Sequence, residues 1–244
     1  SKVEFLFLNE EDMIKAGVLD ADRAVDTIGE VITLLSEGDY LMGGRAHNDH
    51  GVQLIFPEKS DIPNFPLADS ADRRFMAMPA YLGGRFHMCG EKWYGSNGRN
   101  SHKGLPRSIL MATLNDVETG QPLAYMSANL LSAMRTGAMP GLTAMYLARK
   151  DSRVLTILGA GVIGRTSLMA IMAKFPDLEV LKIKGSSKTS HTAHELTDYA
   201  RENYKSLKEI IICDTLEEAV RDADIIAEAV SVEPRKWPVI DPAW

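Results

Sequence analysis

The stretch RVLTILGAGVIGRTSLMA, residues 153–170, is the clearest indication of the fold. A run of apolar and β-branched residues predicts a strand, and Gly159, Gly161 and Gly164 follow it at the start of a predicted helix. In this G-x-G-x-x-G pattern the first glycine permits a tight turn, the second lets backbone approach a pyrophosphate, and the third lets the helix pack closely on the strand. The helix N-terminus then faces the phosphate charge. Because strand, turn and helix occur in the required order, the pattern predicts a dinucleotide site rather than a glycine-rich turn without a ligand.

Strands and helices continue to alternate after this stretch. Helices are predicted to begin near Ile163, Thr192 and Leu216, and strands are predicted at residues 153–158, 179–184, 209–213 and 224–229. Repeated βα units predict a parallel sheet, so we expect a Rossmann-type doubly wound α/β domain over residues 129–244. Four strands are recognisable where about six are usual, so this domain is expected to be incomplete at its C-terminal end.

Residues 1–128 show a different pattern, typical of an α+β domain. A strand is predicted near the N-terminus, and two helices follow it, the first capped by Asn9 and the second ending at Gly38. Between residues 41 and 82, prolines and turn residues separate short apolar runs, which indicates β-hairpins with a long irregular connection. Two further strands are predicted on either side of a turn at residues 118–120.

An alanine-rich helix over residues 128–150 is predicted to connect the two halves. Pro140 and Gly141 lie inside it. We expect this pair to kink the helix or to split it in two, because proline removes a backbone hydrogen bond and clashes with the preceding turn.

Composition and charge exclude several classes of partner. Acidic residues outnumber basic residues by 33 to 27 without a long run of either sign, which argues against a nucleic-acid or anionic-membrane partner. No apolar run approaches the ~18 residues of a spanning helix, and the N-terminus lacks the pattern of a signal peptide. The two cysteines, Cys89 and Cys213, are far apart and fit a reduced, cytoplasmic setting. His47, Asp49 and His50 match no strong ligand spacing, so we expect no metal.

The turn after the second Rossmann strand bears on the choice of cofactor. NAD-dependent enzymes usually carry an acidic residue there, which bonds the ribose 2′-hydroxyl. Here the strand ends in KIKGSSKTS, without an acid, and Ser186, Ser187 and Lys188 offer hydroxyls and a cation suited to a 2′-phosphate. The sequence therefore favours NADP over NAD, and a solvated surface turn is the alternative.

Three elements precede the glycine pattern in a linked order. They are GEKWYGSN at residues 90–97, TGQPLAYMS at 119–127 and MRTGA at 134–138. In this order they resemble the ornithine cyclodeaminase/mu-crystallin family, from about residue 40 to residue 232. The resemblance implies a homodimer, with an N-terminal substrate-binding and dimerisation domain and a Rossmann domain. It also implies a small-molecule amino acid or cyclic imino acid as substrate, and NAD(H) or NADP(H) as cofactor.

The resemblance also implies roles for individual residues. The matching lysine, Lys92, and the matching arginine, Arg135, would hold the substrate carboxylate, and Lys92 is also the catalytic candidate. Arg45 matches a third cation; a solvated surface charge is the alternative, because residues 46–75 form a longer segment than typical members have. Thr136 would lie near the cofactor phosphates. The remaining cofactor-binding candidates are Gly159, Gly161, Val162, Ile163, Gly164, Ser186, Ser187, Lys188, Val230 and Ser231.

These features predict an NAD(P)-dependent enzyme of amino-acid metabolism resembling ornithine cyclodeaminase, which converts L-ornithine to L-proline and ammonia through an imine. The first alternative is an NADPH-dependent reductase of a cyclic ketimine such as pyrroline-2-carboxylate, or a related amino-acid dehydrogenase. The second is a non-catalytic nucleotide-binding protein like mu-crystallin, or an amine-oxidase accessory subunit. The general acid/base of the family, an aspartate, is expected beyond residue 244. An unrelated Rossmann dehydrogenase would leave the match in the first half unexplained.

Overall fold

The structure is a computed structural model that describes residues 2–230 and 240–244. The chain divides into two compact units. The first unit comprises Ser1–Val18 and Glu30–Ser132, and the second comprises Leu19–Gly29 and Ala133–Trp244. Residues 19–29 thus join the second unit, a grouping that the order of the sequence does not suggest.

A seven-stranded sheet forms the framework of the first unit. Its strands are β1 (Leu6–Leu8), β2 (Tyr40–Met42), β3 (Val52–Ile55), β4 (Arg74–Leu82), β5 (Met88–Ser96), β6 (Ser108–Asp116) and β7 (Pro122–Ser127). Along the sheet the order is β1-β7-β6-β5-β4-β2, and β3 also pairs with β4. β1 runs parallel to β7, whereas the other pairs are antiparallel. The hairpin of β6 and β7 confirms the turn predicted at residues 118–120.

Two helices follow β1, namely α1 (Glu10–Lys15) and α2 (Ala21–Glu37). Asn9 caps α1 as predicted. Its side chain accepts a hydrogen bond from the backbone N–H of Asp12, and the Asp12 carboxylate accepts one from the backbone N–H of Asn9. This reciprocal capping box satisfies two amides that would otherwise lack partners at the chain's entry into the helix. α2 ends one residue before Gly38, also as predicted.

The antiparallel sheet has two unlike faces, because side chains alternate along each strand. Met76, Tyr94 and Leu110 belong to a buried cluster on one face. Phe75 and Trp93, each one residue away in the same strands, lie on the opposite face and remain exposed. The buried face supplies the core of the first unit.

The second unit contains a four-stranded parallel sheet. Its strands are β8 (Val154–Leu158), β9 (Val180–Lys184), β10 (Glu209–Ile212) and β11 (Ile225–Glu228). Its helices are α3 (Asn129–Leu147), which belongs to this unit from Ala133 onward, α4 (Val162–Lys174), α5 (His191–Asn203) and α6 (Leu216–Val220). The strand order β10-β9-β8-β11 reproduces the 3-2-1-4 order of a Rossmann domain. The predicted Rossmann-type α/β fold is therefore confirmed, and each strand boundary and helix start lies within one residue of its predicted position.

The central strand β8 is buried on both faces, as expected for a covered parallel sheet. Leu155, Ile157 and Leu158 are almost entirely shielded from solvent. Thr156 is the polar member of this buried run, and its hydroxyl donates a hydrogen bond to the carbonyl oxygen of Ala219 at 2.6 Å. Because that donor is satisfied, the strand carries a threonine in the core without the cost of an unpaired polar group.

The helix α3 runs unbroken through Pro140. Of the two outcomes expected at Pro140 and Gly141, a kink or a split, the split is therefore wrong. A proline in a helix interior costs about 3 kcal/mol, but close packing against α4 opposes this cost. Gly141 is buried, and an ideal Cβ there would lie 2.8 Å from the Cβ of Ala170 in α4. Small residues let the two helices approach closely, so tertiary packing overrides local propensity.

Residues 19–29 join the second unit through the N-terminal half of α2. Val25 is fully buried in a cluster with residues of α3 and α4. The ammonium group of Lys174, at the end of α4, lies 2.7 Å from the carboxylate of Asp22 and 2.6 Å from that of Asp26. Although burial opposes the charged form, these two carboxylates raise the pKa of Lys174 above its usual range. Apolar packing and ion pairs thus both attach the N-terminal half of α2 to the second unit.

Candidate functional site

Gly159, Gly161 and Gly164 each meet a different geometric demand between β8 and α4. Gly159 has a φ angle of +92°, a left-handed conformation that favours glycine, and an ideal Cβ there would lie 2.6 Å from the carbonyl oxygen of Ala229. Apart from Gly161 itself and its two neighbours in the chain, no described heavy atom lies within 4 Å of an ideal Cβ at Gly161, so the turn is open at this point. A Cβ at Gly164 would overlap the carbonyl oxygen of Gly159. The three positions fit the turning, approach and packing roles of a dinucleotide-binding turn.

The helix α4 begins at this open turn. Gly161 is its N-cap residue and has no side chain with which to cap the amides of the first turn. Val162, in that turn, is 65% exposed, and Ile163 is half-buried. The helix is 13 residues long, so its aligned peptide dipoles place partial positive charge at this end. Amide donors beside open space at a helix N-terminus suit an anionic group such as the pyrophosphate of a dinucleotide.

Several predicted cofactor contacts lie at one edge of the parallel sheet. The glycine turn follows β8, residues 185–188 follow β9, and Val230 follows β11. The backbone nitrogen of Val230 lies 3.0 Å from an ideal Cβ at Gly159, so these two segments touch. Ligands of parallel α/β sheets bind at this carboxyl edge. Ser231, also predicted to contact the cofactor, lies outside the described residues.

The turn after β9 exposes hydroxyl and amino groups. Ser186, Ser187 and Lys188 are all exposed, and Lys188 Nζ lies 3.9 Å from a carboxylate oxygen of Asp214. Asp214 follows β10, the neighbouring parallel strand, and was not predicted from the sequence. Asp214 could have been identified from the sequence by its position at the carboxyl end of a predicted strand. An exposed ion pair at this distance contributes little to stability, so Lys188 can exchange Asp214 for another anion.

The MRTGA element lies in α3, where Gly137 packs directly on α4. A Cβ at Gly137 would overlap the backbone of Thr166. The hydroxyl of Thr166 in turn donates a hydrogen bond to the carbonyl oxygen of Ala133 at 3.0 Å. This contact holds Arg135, which is exposed, and Thr136, which is half-buried, on the part of α3 that adjoins the first turns of α4.

Lys92 lies in the middle of β5 and is half-buried. It is in register with Met78 of β4 and with Ala112 of β6. The side chains around it line a groove in the first unit, formed mainly by Met78, Leu82, Phe86, Met88 and Leu114. Glu91 also lines this groove, whose walls are otherwise largely apolar, and the ammonium group of Lys92 adds a positive charge that suits an anionic group.

Residues that were not predicted from the sequence lie beside Lys92. The ammonium nitrogen of Lys92 is 5.0 Å from the centroid of the Tyr94 ring. The Tyr94 hydroxyl accepts a hydrogen bond from Arg74 Nη2 at 3.2 Å, and Arg74 forms an ion pair with Asp72. Strand alternation was the available signal, because residues two apart in a strand share a face.

Arg45 lies in an exposed turn between β2 and β3. His47, Asp49 and His50 share this turn and are exposed as well. Within residues 2–230 and 240–244, no three side chains of His, Cys, Asp or Glu form a group that could hold a metal ion. No helix in the same described part of the chain is long and apolar enough to cross a membrane.

The two units therefore carry different chemistry. The second unit presents an open turn and helix amides at the edge of a parallel sheet, which can hold a dinucleotide. The first unit presents a lysine in an apolar groove, which can hold a carboxylate.

Comparison with known proteins agrees with this geometry. The sequence profile of the Ornithine cyclodeaminase/mu-crystallin family matches residues 20–244. N-((2S)-2-amino-2-carboxyethyl)-L-glutamate dehydrogenase of Staphylococcus aureus is 36% identical over 178 residues, which make up 72% of this chain and 48% of that relative. Alanine dehydrogenase of Archaeoglobus fulgidus is 31% identical over 242 residues, which make up 99% of this chain and 64% of that relative.

A solved structure of an alanine dehydrogenase is also similar to this chain. An archaeal alanine dehydrogenase dimer with bound NAD matches with a TM-score of 0.73 and 28% identity, over 92% of this chain and 60% of that chain. The protein thus spans between 48% and 64% of the length of these relatives. Because the family profile matches nearly the whole chain, the protein belongs to the ornithine cyclodeaminase/mu-crystallin family.

Proposed function

We propose that the protein is an NAD(P)-dependent oxidoreductase that acts at the bond between the α-carbon and the nitrogen of an amino acid or cyclic imino acid. The observation that carries this proposal is the open turn beside Gly161 at the N-terminus of α4, because it suits a dinucleotide pyrophosphate. A bound nicotinamide would supply the hydride chemistry. Family membership supports the substrate class, since both named relatives are dehydrogenases of amino-acid compounds.

We assign the two functions to two parts of the chain. Residues 1–128 would bind the substrate and form the dimer, and residues 129–244 would bind the cofactor. Lys92, Arg135 and Arg45 would hold the substrate carboxylate. An arginine fork grips a carboxylate with two parallel hydrogen bonds, while lysine adds a compact charge. Lys92 would also act in catalysis by fixing the reacting carbon against the nicotinamide.

The substitution Lys92→Ala tests the carboxylate role. Truncating one partner of a buried charge pair costs about 2–5 kcal/mol, so amino-acid binding should weaken by about thirtyfold to a few thousandfold. Cofactor affinity should stay the same, because the glycine turn belongs to the other unit. Both affinities can be measured by fluorescence titration of the full-length protein, with NADH or NADPH first and then with L-alanine, L-ornithine or L-proline.

A matched control for this experiment is Lys103→Ala, which removes an equal charge from an exposed 3₁₀ turn in the same unit. It should leave both affinities at the parent value. A Lys92→Ala protein that binds the amino acid as tightly as the parent would rule out Lys92 as a carboxylate ligand.

For the cofactor we favour NADP over NAD. The turn at residues 186–188 offers two hydroxyls and the Lys188 ammonium group, which suit a 2′-phosphate. NADPH should therefore bind more tightly than NADH, and Lys188→Glu should reverse this order by placing a negative charge beside the ribose. Asp214→Asn removes the acid that faces Lys188 and should strengthen NADPH binding. Equal affinities, or a preference of the parent protein for NADH, would contradict the NADP assignment.

Cyclodeamination is the second candidate function, and the family's description favours it. An ornithine cyclodeaminase releases ammonia from L-ornithine without a net change in NAD⁺, whereas a reductase consumes NADPH when given pyrroline-2-carboxylate. Measuring ammonia and nicotinamide absorbance in parallel separates the two activities. A protein that binds the cofactor and catalyses neither reaction would match the non-catalytic alternative.

We further propose that the protein works as a cytoplasmic homodimer. The exposed aromatic face of the first unit supports the dimer, because soluble monomers rarely leave such a patch uncovered. The two separate cysteines, both free, support a reduced compartment.

A further inference from the structure

The side chain of Tyr94 is placed to act on Lys92. Tyr94 and Lys92 are two residues apart in β5, so both side chains lie on the same face of the sheet. The Tyr94 residue is only 8% exposed, and the Lys92 ammonium nitrogen lies 5.0 Å from the centroid of its ring. That distance is within the range in which the electron-rich face of an aromatic ring attracts a cation.

The ring is held in place from its hydroxyl end. Tyr94 Oη accepts a hydrogen bond from Arg74 Nη2 at 3.2 Å and donates one to the sulfur of Met76 at 3.3 Å. Arg74 is ion-paired with Asp72. The Asp72 carboxylate also accepts a hydrogen bond from the hydroxyl of Ser96 at 2.6 Å.

This network is anchored on several strands. Asp72 also pairs with Arg107, just before β6, at 2.7 Å. The hydroxyl of Ser108, at the start of β6, donates to that of Ser96 at 3.1 Å. A charged and hydrogen-bonded framework of this kind fixes the ring more firmly than apolar packing alone. The ring that lies beside the Lys92 ammonium group is thereby connected to β4, β5 and β6.

We propose that Tyr94 is a positioning residue for Lys92, and that its ring holds the ammonium group where the substrate carboxylate binds. The proposal rests on the proposed function, in which Lys92 is the carboxylate ligand. A lysine side chain has four rotatable bonds and is a compact, strongly hydrated charge. Holding the ammonium group against a fixed ring removes much of this freedom before the substrate arrives, and preorganisation of this kind strengthens binding.

The contact between Lys92 and Tyr94 can be tested without any substrate. Lysines of the full-length protein are reductively methylated with ¹³C-formaldehyde and a borane reductant, which keeps their charge, and the Lys92 signal is assigned by its absence in Lys92→Arg. The ring current of Tyr94 should shift this signal upfield of the exposed lysines. The shift should persist in Tyr94→Phe and disappear in Tyr94→Leu. A Lys92 signal at the position of the exposed lysines in the parent protein would overturn the proposal.

The effect on the substrate site is tested by binding. Tyr94 is replaced through stop-codon suppression by phenylalanine and by its mono-, di- and trifluoro derivatives, which withdraw electrons from the ring with little change in shape. The Kd for L-proline, L-alanine or L-ornithine in the presence of NADH should rise with each fluorine, while the Kd for NADH stays constant. Complete loss of the ring in Tyr94→Leu should raise the Kd for the amino acid by about two- to thirtyfold.

The outcomes separate the two proposals. A Kd that does not change across the fluorinated series would overturn the positioning role, because a purely structural ring does not respond to its electron density. The fluorinated series also covers the case in which Tyr94→Leu fails to fold. If none of the three amino acids binds the parent protein while the upfield Lys92 signal is present, the carboxylate role fails and the pairing of Tyr94 with Lys92 stands.

Discussion

Adjacent residues of a β-strand lie on opposite faces of the sheet, as β5 shows at Lys92, Trp93 and Tyr94. Alternation places Lys92 and Tyr94 on the face of the sheet that carries the core of the first unit, and places Trp93 on the opposite face. Trp93 stacks there on Phe75, with ring centroids 5.5 Å apart. A shift of the register by one residue would exchange the two faces, so the pairing of β5 with its neighbours decides whether Lys92 faces the groove.

The glycines of the turn between β8 and α4 give a sharp test of the proposed cofactor site. Gly161→Ala should leave the fold intact, because nothing described in the structure lies within 4 Å of the new Cβ, but it should weaken NADPH binding by at least about tenfold by filling the open space. Gly164→Ala should instead lower the free energy of unfolding by about 1–3 kcal/mol or more, because its Cβ overlaps a backbone carbonyl. Thermal unfolding and fluorescence titration of both variants measure the two effects. A Gly161→Ala protein that binds NADPH like the parent would argue against a dinucleotide at this turn.

Only part of the candidate site could be predicted from the sequence. The glycine positions could be predicted, because each role follows from local geometry within a strand, a turn and a helix. The pairing of Tyr94 with Lys92 could have been suspected from their spacing. Its anchoring by Arg74 and Asp72 could not, since that depends on which strand lies beside β5 and in which register. Asp214 was missed for a similar reason, because it meets Lys188 only through the order of parallel strands.

At the scale of elements, the second unit was predictable and β5 was not. The βα alternation is a local pattern, so strands such as β8 and β9 could be predicted within one residue of their bounds. β5 contains Gly90 and Gly95, residues that weaken a strand, and forms because it pairs along its whole length with β4 and β6. A Cβ at Gly90 would lie 2.6 Å from the carbonyl oxygen of Thr113 in β6, so glycine is what allows this close pairing.

Asp224 shows how one carboxylate joins two elements. It immediately precedes β11, and one of its oxygens accepts hydrogen bonds from the backbone N–H groups of Arg153 at 2.7 Å and Val154 at 2.9 Å, at the start of β8. The other oxygen is ion-paired with Arg149. The Arg153 amide is the main cause that holds the pKa of Asp224 below its usual range; burial opposes it, and the Val154 amide and Arg149 assist it.

We expect Asp224→Asn to lower the free energy of unfolding at neutral pH by about 1–3 kcal/mol, because hydrogen bonds to charged groups contribute in this range. The pKa of Asp224 is lower in the folded than in the unfolded protein. Its contribution is therefore complete above the unfolded pKa of about 3.9 and is lost as the pH falls through the folded pKa. The difference in Tm between parent and variant should stay constant from about pH 7 to pH 5 and narrow below about pH 4.

The matched control for this pH series is Asp222→Asn. Asp222 is an exposed neighbour with a φ angle of +57°, a conformation that asparagine also tolerates. It should give nearly the parent Tm at every pH. A Tm difference for Asp224→Asn that does not narrow in acid would show that the lost stability does not come from the charge of Asp224.

At the scale of the whole molecule, the first unit leaves one face of its sheet uncovered by the described chain. Phe7 is 65% exposed, Trp93 42% and Ile109 45%. The aromatic residues on this face contact one another, since Phe7 lies 6.3 Å from Tyr125 between ring centroids and Phe75 stacks on Trp93. Exposed aromatic side chains that form one connected surface are typical of a protein interface rather than of a free surface. A second copy of this chain is the partner that the family resemblance implies.

We therefore expect the full-length protein to be a homodimer at micromolar concentration, and Trp93→Glu to convert it to a monomer. A charge at the centre of an apolar interface is desolvated without a partner, and the loss of a central aromatic anchor typically costs about 2 kcal/mol or more. Light scattering coupled to size-exclusion chromatography measures the mass of each variant.

Tyr146→Glu is the matched control, because Tyr146 is 74% exposed but lies in the second unit. If the parent protein is a monomer, or if Tyr146→Glu dissociates the dimer as readily as Trp93→Glu, the aromatic face is not the interface. Lys92 is on the opposite face of β5, so a monomeric Trp93→Glu protein that keeps its NADPH affinity would also reveal whether amino-acid binding requires the second copy.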